Sequence, residues 1–181
     1  MACNLTLGRS LPCKDVIGGI KALYFGNTRP VVGYDATNTE VIDDLGTYTV
    51  YQYLLPNNAG SLTNTGNVSE ENGTVYYAQE LTVNLPKLTY ADHKELAIMS
   101  QSKPRVFVLD NNDNLFMMGL DFGCKVAVTA QTGTAKGDAS GYVLTISAEE
   151  KKPANFLLAT SGPDTAGYPF DNVGTSITIT T

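Results

Sequence analysis

Residues 75–85 read VYYAQELTVNL and alternate between apolar and polar side chains along most of their length. This period of two is typical of a β-strand that turns one face to a core and the other to solvent. Residues 140–148, SGYVLTISA, repeat the pattern, with Tyr142, Leu144 and Ile146 on one face. The apolar face of the first stretch carries Val75, Tyr77, Leu81, Val83 and Leu85. These two stretches predict a fold built mainly on β-structure.

Further stretches rich in β-branched and aromatic residues predict more strands around these two. They are residues 19–25, 47–55, 105–110, 115–120, 123–130 and 176–180. One helix is predicted over about residues 90–101, because Thr89 and Asp92 have the spacing of a capping box and Pro104 lies just beyond. We therefore expect a mainly β protein, an antiparallel sandwich or barrel with one short helix.

Three segments that lack a periodic pattern are much longer than an ordinary connection. They are residues 26–46, 56–74 and 151–174. A loop of about twenty residues in a compact domain is usually functional or disordered. Three of them predict arms or loops that become ordered against neighbouring copies. The shorter polar stretches 110–114 and 132–139 predict tight turns between strands.

Length and charge narrow the class of protein. The 181 residues suit one domain, and 18 acidic against 12 basic side chains give a net charge of -6. Nucleic-acid binding without sequence preference depends on Lys and Arg replacing phosphate counterions, so this acidic balance argues against it. No stretch approaches the roughly 20 apolar residues of a membrane span, and the first residues do not resemble a secretory signal. We therefore expect no membrane partner and no export.

No catalytic residues are predicted. His93 is the single histidine, and it would be exposed in the first turn of the predicted helix. The sequence contains no Gly-x-Ser-x-Gly, His-Glu-x-x-His or Gly-x-x-x-x-Gly-Lys motif. Carboxylates are adjacent at residues 43–44, 70–71 and 149–150, in or beside polar stretches where both members should ionise. Catalysis by paired carboxylates needs one of them held protonated, so we expect a protein that is not an enzyme.

No metal or cofactor site is predicted either. Cys3 and Cys13 are too far apart for a zinc motif, and Cys124 lies in an apolar run, so we expect packing or surface thiols. The run DNNDN at residues 110–114 imitates the start of a calcium loop. Leu115 occupies the position where that loop needs glycine, so a polar hairpin turn is the better interpretation.

The tyrosines allow more than one interpretation. Tyr48, Tyr51 and Tyr53 share one predicted strand, and Tyr76 and Tyr77 share another. Aromatic strand faces can bind sugars or stack on bases, although base stacking normally comes with a basic groove. Tyrosine on both faces of a strand also suits a packed core or a subunit interface. Core packing and an interface both stay open, and a ligand platform is a third interpretation.

The order of features over residues 72–160 is more specific than any single motif. The series runs through a long strand (73–85), the helix (90–101), a strand-turn-strand (104–119), the run DFGCKVAVT (121–129), a loop (132–138), a strand (141–150) and Lys152-Pro153-Ala154. It resembles the tail-tube and related ring-forming proteins of tailed bacteriophages, and particularly small virion proteins of phages that infect Bacteroidetes-type hosts. The resemblance covers roughly half of the chain.

The resemblance implies a single tail-tube-like β-domain over residues 1–181 that assembles into a ring. In such proteins the strands of neighbouring copies close an inner β-barrel. The ring is commonly a hexamer, and a dodecamer is also found. Rings would stack through long loops and terminal arms, and phage DNA would pass down the lumen without sequence-specific binding. The protein would belong to the virion, in the tail tube or in a tail or neck ring, after synthesis in the host bacterial cytoplasm.

Two other classes remain as alternatives. One is a carbohydrate-binding or adhesin β-module of a virion or cell surface, which would use the tyrosine faces. The other is a small hydrolase whose site carries no recognisable motif. Oligomerisation separates the first from a ring protein, because a sugar-binding module should stay small and bind glycans.

Overall fold

Two β-sheets and one helix form the architecture of the chain in the computed structural model, which describes residues 8–11, 13–38, 40–56, 59–174 and 176–181. The elements are β1 (Ile20–Gly26), β2 (Gly33–Tyr34), β3 (Val41–Asp44), β4 (Thr47–Leu54), β5 (Gly60–Ser69), β6 (Thr74–Pro86), α1 (Tyr90–Gln101), β7 (Arg105–Asp110), β8 (Leu115–Met118), β9 (Lys125–Gln131), β10 (Gly141–Glu150), β11 (Asn155–Leu157) and β12 (Ser176–Thr180). The predicted mainly β class with one short helix is confirmed.

Sheet B contains four antiparallel strands in the order β5-β6-β10-β9. Its inner strands, β6 and β10, are the two strongly alternating stretches of the sequence. Leu81, Val83, Leu144 and Ile146 are completely buried on one face of these strands. Because successive side chains point to opposite sides of a strand, the residues between them face away from the core.

Sheet A contains eight strands in the order β12-β4-β1-β7-β8-β11-β3-β2. The pairs β3–β11 and β4–β12 are parallel, so the expectation of antiparallel pairing is correct for sheet B and wrong at these two places. β11 and β12 are short strands whose parallel partners, β3 and β4, are distant in the sequence, which local alternation does not reveal. The described strands do not close into a barrel.

Sheet A curls strongly around its own inner face. β3 ends at Asp44 and β4 begins at Thr47, although β1, β7, β8 and β11 lie between them in the sheet order. Three residue steps reach at most about 10 Å, so the two ends of the sheet must approach each other at this point. The segment 158–174 helps to fill the enclosed space, with Phe170 and Val173 fully or almost fully buried.

Two apolar layers result from this arrangement. Core 1 lies between the sheets, and core 2 lies inside the curl of sheet A. Core 1 is centred on Leu23, Phe25, Leu81, Val83, Val106, Val108, Leu144 and Ile146, and core 2 on Tyr24, Ile42, Val50, Phe107, Met117, Phe170 and Val173. Burial of one such large side chain stabilises the folded state by about 1.5–3 kcal/mol relative to exposure. A slip of one residue would expose a whole row, so core 1 fixes the register of sheet B.

Helix α1 has the predicted bounds and the predicted start. Thr89 is the N-cap, and its hydroxyl oxygen accepts the backbone N–H of Asp92 at 3.1 Å. Leu96 and Met99 are buried against core 1, one turn apart on the same face. The helix ends at Gln101, before Pro104, as its sequence indicates.

The prediction of a loop over residues 56–74 is wrong for most of its length. Residues 60–69 form β5, which pairs with β6 in a long hairpin. β5 lies at the edge of sheet B and only Leu62 packs against core 1, so the strand has no need of an apolar face. The predicted loops at 26–46 and 151–174 are likewise interrupted, by β2 and β3 in the first and by β11 in the second.

Candidate functional site

The histidine and the cysteines occupy the places that the sequence predicts, as far as the structure describes them. His93 is exposed on α1. Cys13 is exposed, Cys124 is completely buried, and Cys3 lies outside the described residues. Burial raises the pKa of the Cys124 thiol to about 12, so it stays protonated and inert at neutral pH.

In the polar turn at residues 110–114, the side-chain oxygen atoms that could bind a calcium ion accept hydrogen bonds from backbone N–H groups instead. Asp110 Oδ1 accepts the backbone N–H groups of Asn112 and Asn114 at 2.8 and 2.7 Å. The Asn112 side chain in turn bonds with both backbone groups of Ile17. Over the described parts of the chain, no group of three or more His, Cys, Asp or Glu side chains is placed to hold a metal ion.

The tyrosines divide between core and surface. Tyr48 is buried in core 2 and donates a hydrogen bond to the Thr28 carbonyl, and Tyr53 packs edge-on against Phe25 at 5.1 Å between ring centroids. Tyr51 and Tyr76 are 40% and 46% exposed, one in sheet A and the other in sheet B. The core interpretation is therefore correct for Tyr48, and the two exposed rings do not share a strand or a sheet.

The face of sheet B that points away from core 1 is broad and polar, and we call it the outer face. It comprises Ser61, Thr63, Thr65 and Asn67 of β5, Tyr76, Ala78, Glu80, Thr82 and Asn84 of β6, Val143, Thr145, Ser147 and Glu149 of β10, and Lys125, Ala127, Thr129 and Gln131 of β9. Most of these side chains are small and uncharged. The three charges are Glu80, Glu149 and Lys125, which sum to -1.

Neither edge strand of sheet B has a further described strand beside it in the single chain, and α1 packs against β9 at one edge. β5 and β9 are its outermost strands, so one row of backbone groups on each is free of a neighbouring strand in this sheet. Soluble proteins usually protect such edges with charges, proline or bulges, because an unpaired edge invites another strand. Residues 60–69 of β5 contain no charged residue and no proline, and β9 has only Lys125. The long hairpin edge is therefore suited to pairing with another chain.

The end of the β5–β6 hairpin projects beyond the rest of sheet B. β10 accompanies β6 as far as the pair Glu150–Tyr77, so residues 67–76 form a two-stranded ribbon that we call the hairpin arm. Val68 and Val75 pair directly across the arm and are 70% and 52% exposed. By register they continue the same face that is buried in core 1 farther along the strands. The arm therefore carries an apolar face that its own chain leaves uncovered.

Polar side chains on both strands of the hairpin hold the base of the arm. Gln79, 2% exposed, accepts the N–H of Gly119 at 3.1 Å and donates to the carbonyl of Lys152 at 3.2 Å. Asn64, on the other strand of the hairpin, accepts the N–H of Ala154 at 3.2 Å. Gln79 is buried, so the loss of its partners would cost about 1–3 kcal/mol, and its bonds tie the base of the arm to Gly119 and Lys152.

Glu150 binds the turn at residues 119–124, which lies beside the arm. The prediction that both members of each carboxylate pair lie in polar surroundings is wrong for this residue. Its neighbour Glu149 is exposed on the outer face, but Glu150 is only 5% exposed. Glu150 Oε1 accepts the backbone N–H groups of Asp121 and Phe122 at 3.0 and 2.9 Å. Burial raises the pKa of Glu150, against the lowering effect of these two bonds and of Arg105. The alternation of β10 could have indicated this inward position.

Two glycines allow the chain to turn at this point. Gly119 and Gly123 have φ values of 66° and 75°, in the left-handed region that glycine favours. A Cβ on Gly119 would lie 2.6 Å from Cys124 Sγ, so a larger residue would disturb the core. The turn presents Phe122, 59% exposed, beside a depression of about 330 Å³ at the end of the outer face. Glu80, Lys103, Lys125 and Glu149 are among the residues that line the depression.

We predict that Glu150→Gln changes the pH dependence of stability. The pKa of Glu150 is higher in the folded state than in the unfolded state. The folded protein therefore loses stability as the pH rises from the ordinary pKa of glutamate through the raised pKa of Glu150. The free energy of unfolding of the wild type should therefore fall relative to that of Glu150→Gln over this range. Urea unfolding at a series of pH values measures the difference, with Glu149→Gln as the exposed control. A difference that does not vary with pH would contradict the assignment.

Comparisons with known proteins identify no relative of this chain. No protein-family model, no curated protein and no solved structure matches the chain. No helix among the described residues is long and apolar enough to cross a membrane.

Proposed function

We propose that this chain is a structural virion protein of a tailed bacteriophage, which assembles into stacked rings that form the tail tube, or a ring of the tail or neck, through which DNA passes. The observation that carries the proposal is sheet B, because a polar uncovered face between two open edges suits a wall that continues from one copy to the next. The feature order over residues 72–160 supports the same class. The protein would be made in the host bacterial cytoplasm.

Ring closure would satisfy the open edges of sheet B without changing its pattern. All neighbouring strands of sheet B are antiparallel, so β5 and β9 run in opposite directions. If β5 of one copy meets β9 of the next around a ring axis, the two strands also run antiparallel. Six copies would give 6 × 4 = 24 strands in one continuous barrel. Closed cyclic symmetry then leaves none of these edges exposed.

The outer face would line the lumen, because the other face of sheet B is buried in core 1. Its three charges sum to -1 per copy, or 6 × (-1) = -6 for a hexamer, whereas the whole ring would carry 6 × (-6) = -36. A wall of small, mostly uncharged side chains with a slight negative charge lacks the cations that bind phosphates. DNA would pass along such a surface without being held.

The hairpin arm would make the contact between rings. It projects from one end of sheet B, and its exposed pair Val68–Val75 needs a surface to cover it. Gln79 and Asn64 hold its base, so the arm reaches a neighbour in a defined direction. A rigid arm loses little conformational entropy on docking, which favours association.

A carbohydrate-binding or adhesin module is the second candidate, and Phe122 is the observation that favours it. An exposed aromatic ring beside Glu80, Lys125 and Glu149 offers a stacking surface with polar partners, which sugar recognition requires. Such a module would remain monomeric and bind glycans, whereas a tube protein would form rings in the absence of any glycan.

Ring formation should respond to charge at the edge of β5. Thr63 pairs with Glu80 and lies at the level of Lys125 across the sheet. Both variants at position 63 are therefore made in a Glu80→Gln background, where Thr63→Lys would bring like charges together only where β5 meets a neighbouring β9. We expect rings with a central channel from the wild type and from Thr63→Glu in negative-stain electron microscopy, and fewer from Thr63→Lys. Equal ring formation by both variants would contradict edge pairing, and a monomer that binds glycans would favour the second candidate.

Removal of the hairpin arm should separate ring stacking from ring formation. Residues 60–66 of β5 belong to the body of sheet B, so the deletion is limited to residues 67–76, replaced by Asn-Gly to close a two-residue turn. We expect isolated rings in place of stacks, with circular dichroism close to that of the wild type. Normal tubes from this variant would show that the arm does not connect rings.

A further inference from the structure

Four charged side chains surround the depression beside Phe122, and we call this feature the charged depression. They are Glu80, Lys103, Lys125 and Glu149, and all four are exposed. None of them belongs to an ion pair among the described residues. Two negative and two positive charges around one depression are therefore available to a third molecule.

The register of sheet B holds the two signs of charge apart. Glu80 of β6 and Lys125 of β9 both pair with Ser147, which lies between them on β10. Neighbouring strands are about 4.8 Å apart, so the Cα atoms of Glu80 and Lys125 are separated by about 10 Å. Glu149 follows Ser147 on the same face of β10, about 7 Å farther along. The small side chains of Ala78 and Ser147 line the space between these charges, so the space stays open.

Lys103 approaches the depression from the same side as Lys125. A Cβ on Gly123 would lie 2.9 Å from the Cβ of Lys103, so Lys103 packs against the turn that leads into β9. Phe122 belongs to the same turn and is 59% exposed. The charged depression therefore has its cationic groups and its aromatic ring on the β9 side, and its anionic groups on β6 and β10.

We propose that the charged depression binds a small zwitterion. The ammonium group of this ligand would lie between Glu80 and Glu149, and its anionic group between the two lysines. The hydroxyl of Ser147 would add a hydrogen bond. A volume of about 330 Å³ is at the lower end of the range for ligand pockets, so the ligand has to be small. The inference does not rest on ring assembly, because every group of the site belongs to one chain.

The presence of both signs of charge decides the class of ligand. An anion would pair with the lysines but would be repelled by Glu80 and Glu149, and a cation would meet the reverse arrangement. A neutral sugar could stack on Phe122 but would leave all four charges without an ionic partner. Because the two signs lie on different strands, the charges of the ligand should be separated by several bonds. The chain between them would contact the ring of Phe122.

A matched set of three probes tests the ligand class in the full-length protein. γ-Aminobutyrate carries an ammonium and a carboxylate group separated by three methylene groups, and butyrate and butylamine each lack one of these charges. Titrations followed by NMR chemical shifts measure the three dissociation constants. We expect γ-aminobutyrate to bind about tenfold more tightly than either analogue, a difference of about 1.4 kcal/mol. Its affinity should fall as the salt concentration rises.

Three results would overturn the inference. They are equal affinities for the three probes, tighter binding of glucose than of γ-aminobutyrate, and no saturable binding of γ-aminobutyrate. Rings that form normally from a protein without such binding would overturn this inference and leave the proposed function in place.

Paired variants test which side chains bind which end of the ligand. Lys103→Gln with Lys125→Gln should remove the advantage of γ-aminobutyrate over butylamine, because the carboxylate then has no cationic partner. Glu80→Gln with Glu149→Gln should remove its advantage over butyrate. Lys136→Gln is the control, because Lys136 is exposed in the β9–β10 loop at the other end of sheet B, and it should leave all three affinities unchanged. Double variants that weaken all three probes equally would contradict the assigned contacts.

Discussion

The burial of one face of sheet B against sheet A is the interaction on which the rest of the structure depends. Leu81, Val83, Leu144 and Ile146 have no exposed surface, and a shift of one residue in either strand would expose the row to which they belong. This layer therefore sets the register of β6 and β10. The register in turn decides which side chains form the outer face, where the hairpin arm begins, and that Glu150 points inward.

Buried polar side chains at one end of this layer fix the position of the 119–124 turn relative to β6 and β10. Gln79 and Glu150 bind backbone groups of the 119–124 turn, and both are almost completely buried. Buried side chains of this kind are tolerated only when they are hydrogen-bonded, and they specify one arrangement because alternatives leave them unsatisfied. The projecting arm and the two edge strands of sheet B, which lack further strand partners in the described chain, are thus fixed features of the single chain.

The sequence predicts the elements that have a repeated physical signal. The alternation in β6 and β10 and the cap at Thr89 identify two strands and the helix with nearly their observed bounds. β5 is missed because an edge strand with two largely exposed faces needs no apolar period. The parallel pairing of β12 with β4 is missed because it depends on a long connection, not on local pattern. The hairpin arm cannot be predicted from the sequence, because it is defined by the residue at which β10 stops pairing with β6.

Amide hydrogen exchange compares the open edges before and after assembly, and so tests the central claim most directly. In a dilute single chain, the outward amides of β5 and β9 have no strand partner in sheet B and should exchange quickly. Pairing between copies should slow exchange in residues 60–69 and 125–131 as concentration rises, while α1 stays unchanged. Assembled particles in which both edges exchange as quickly as in the dilute protein would contradict a ring closed through sheet B.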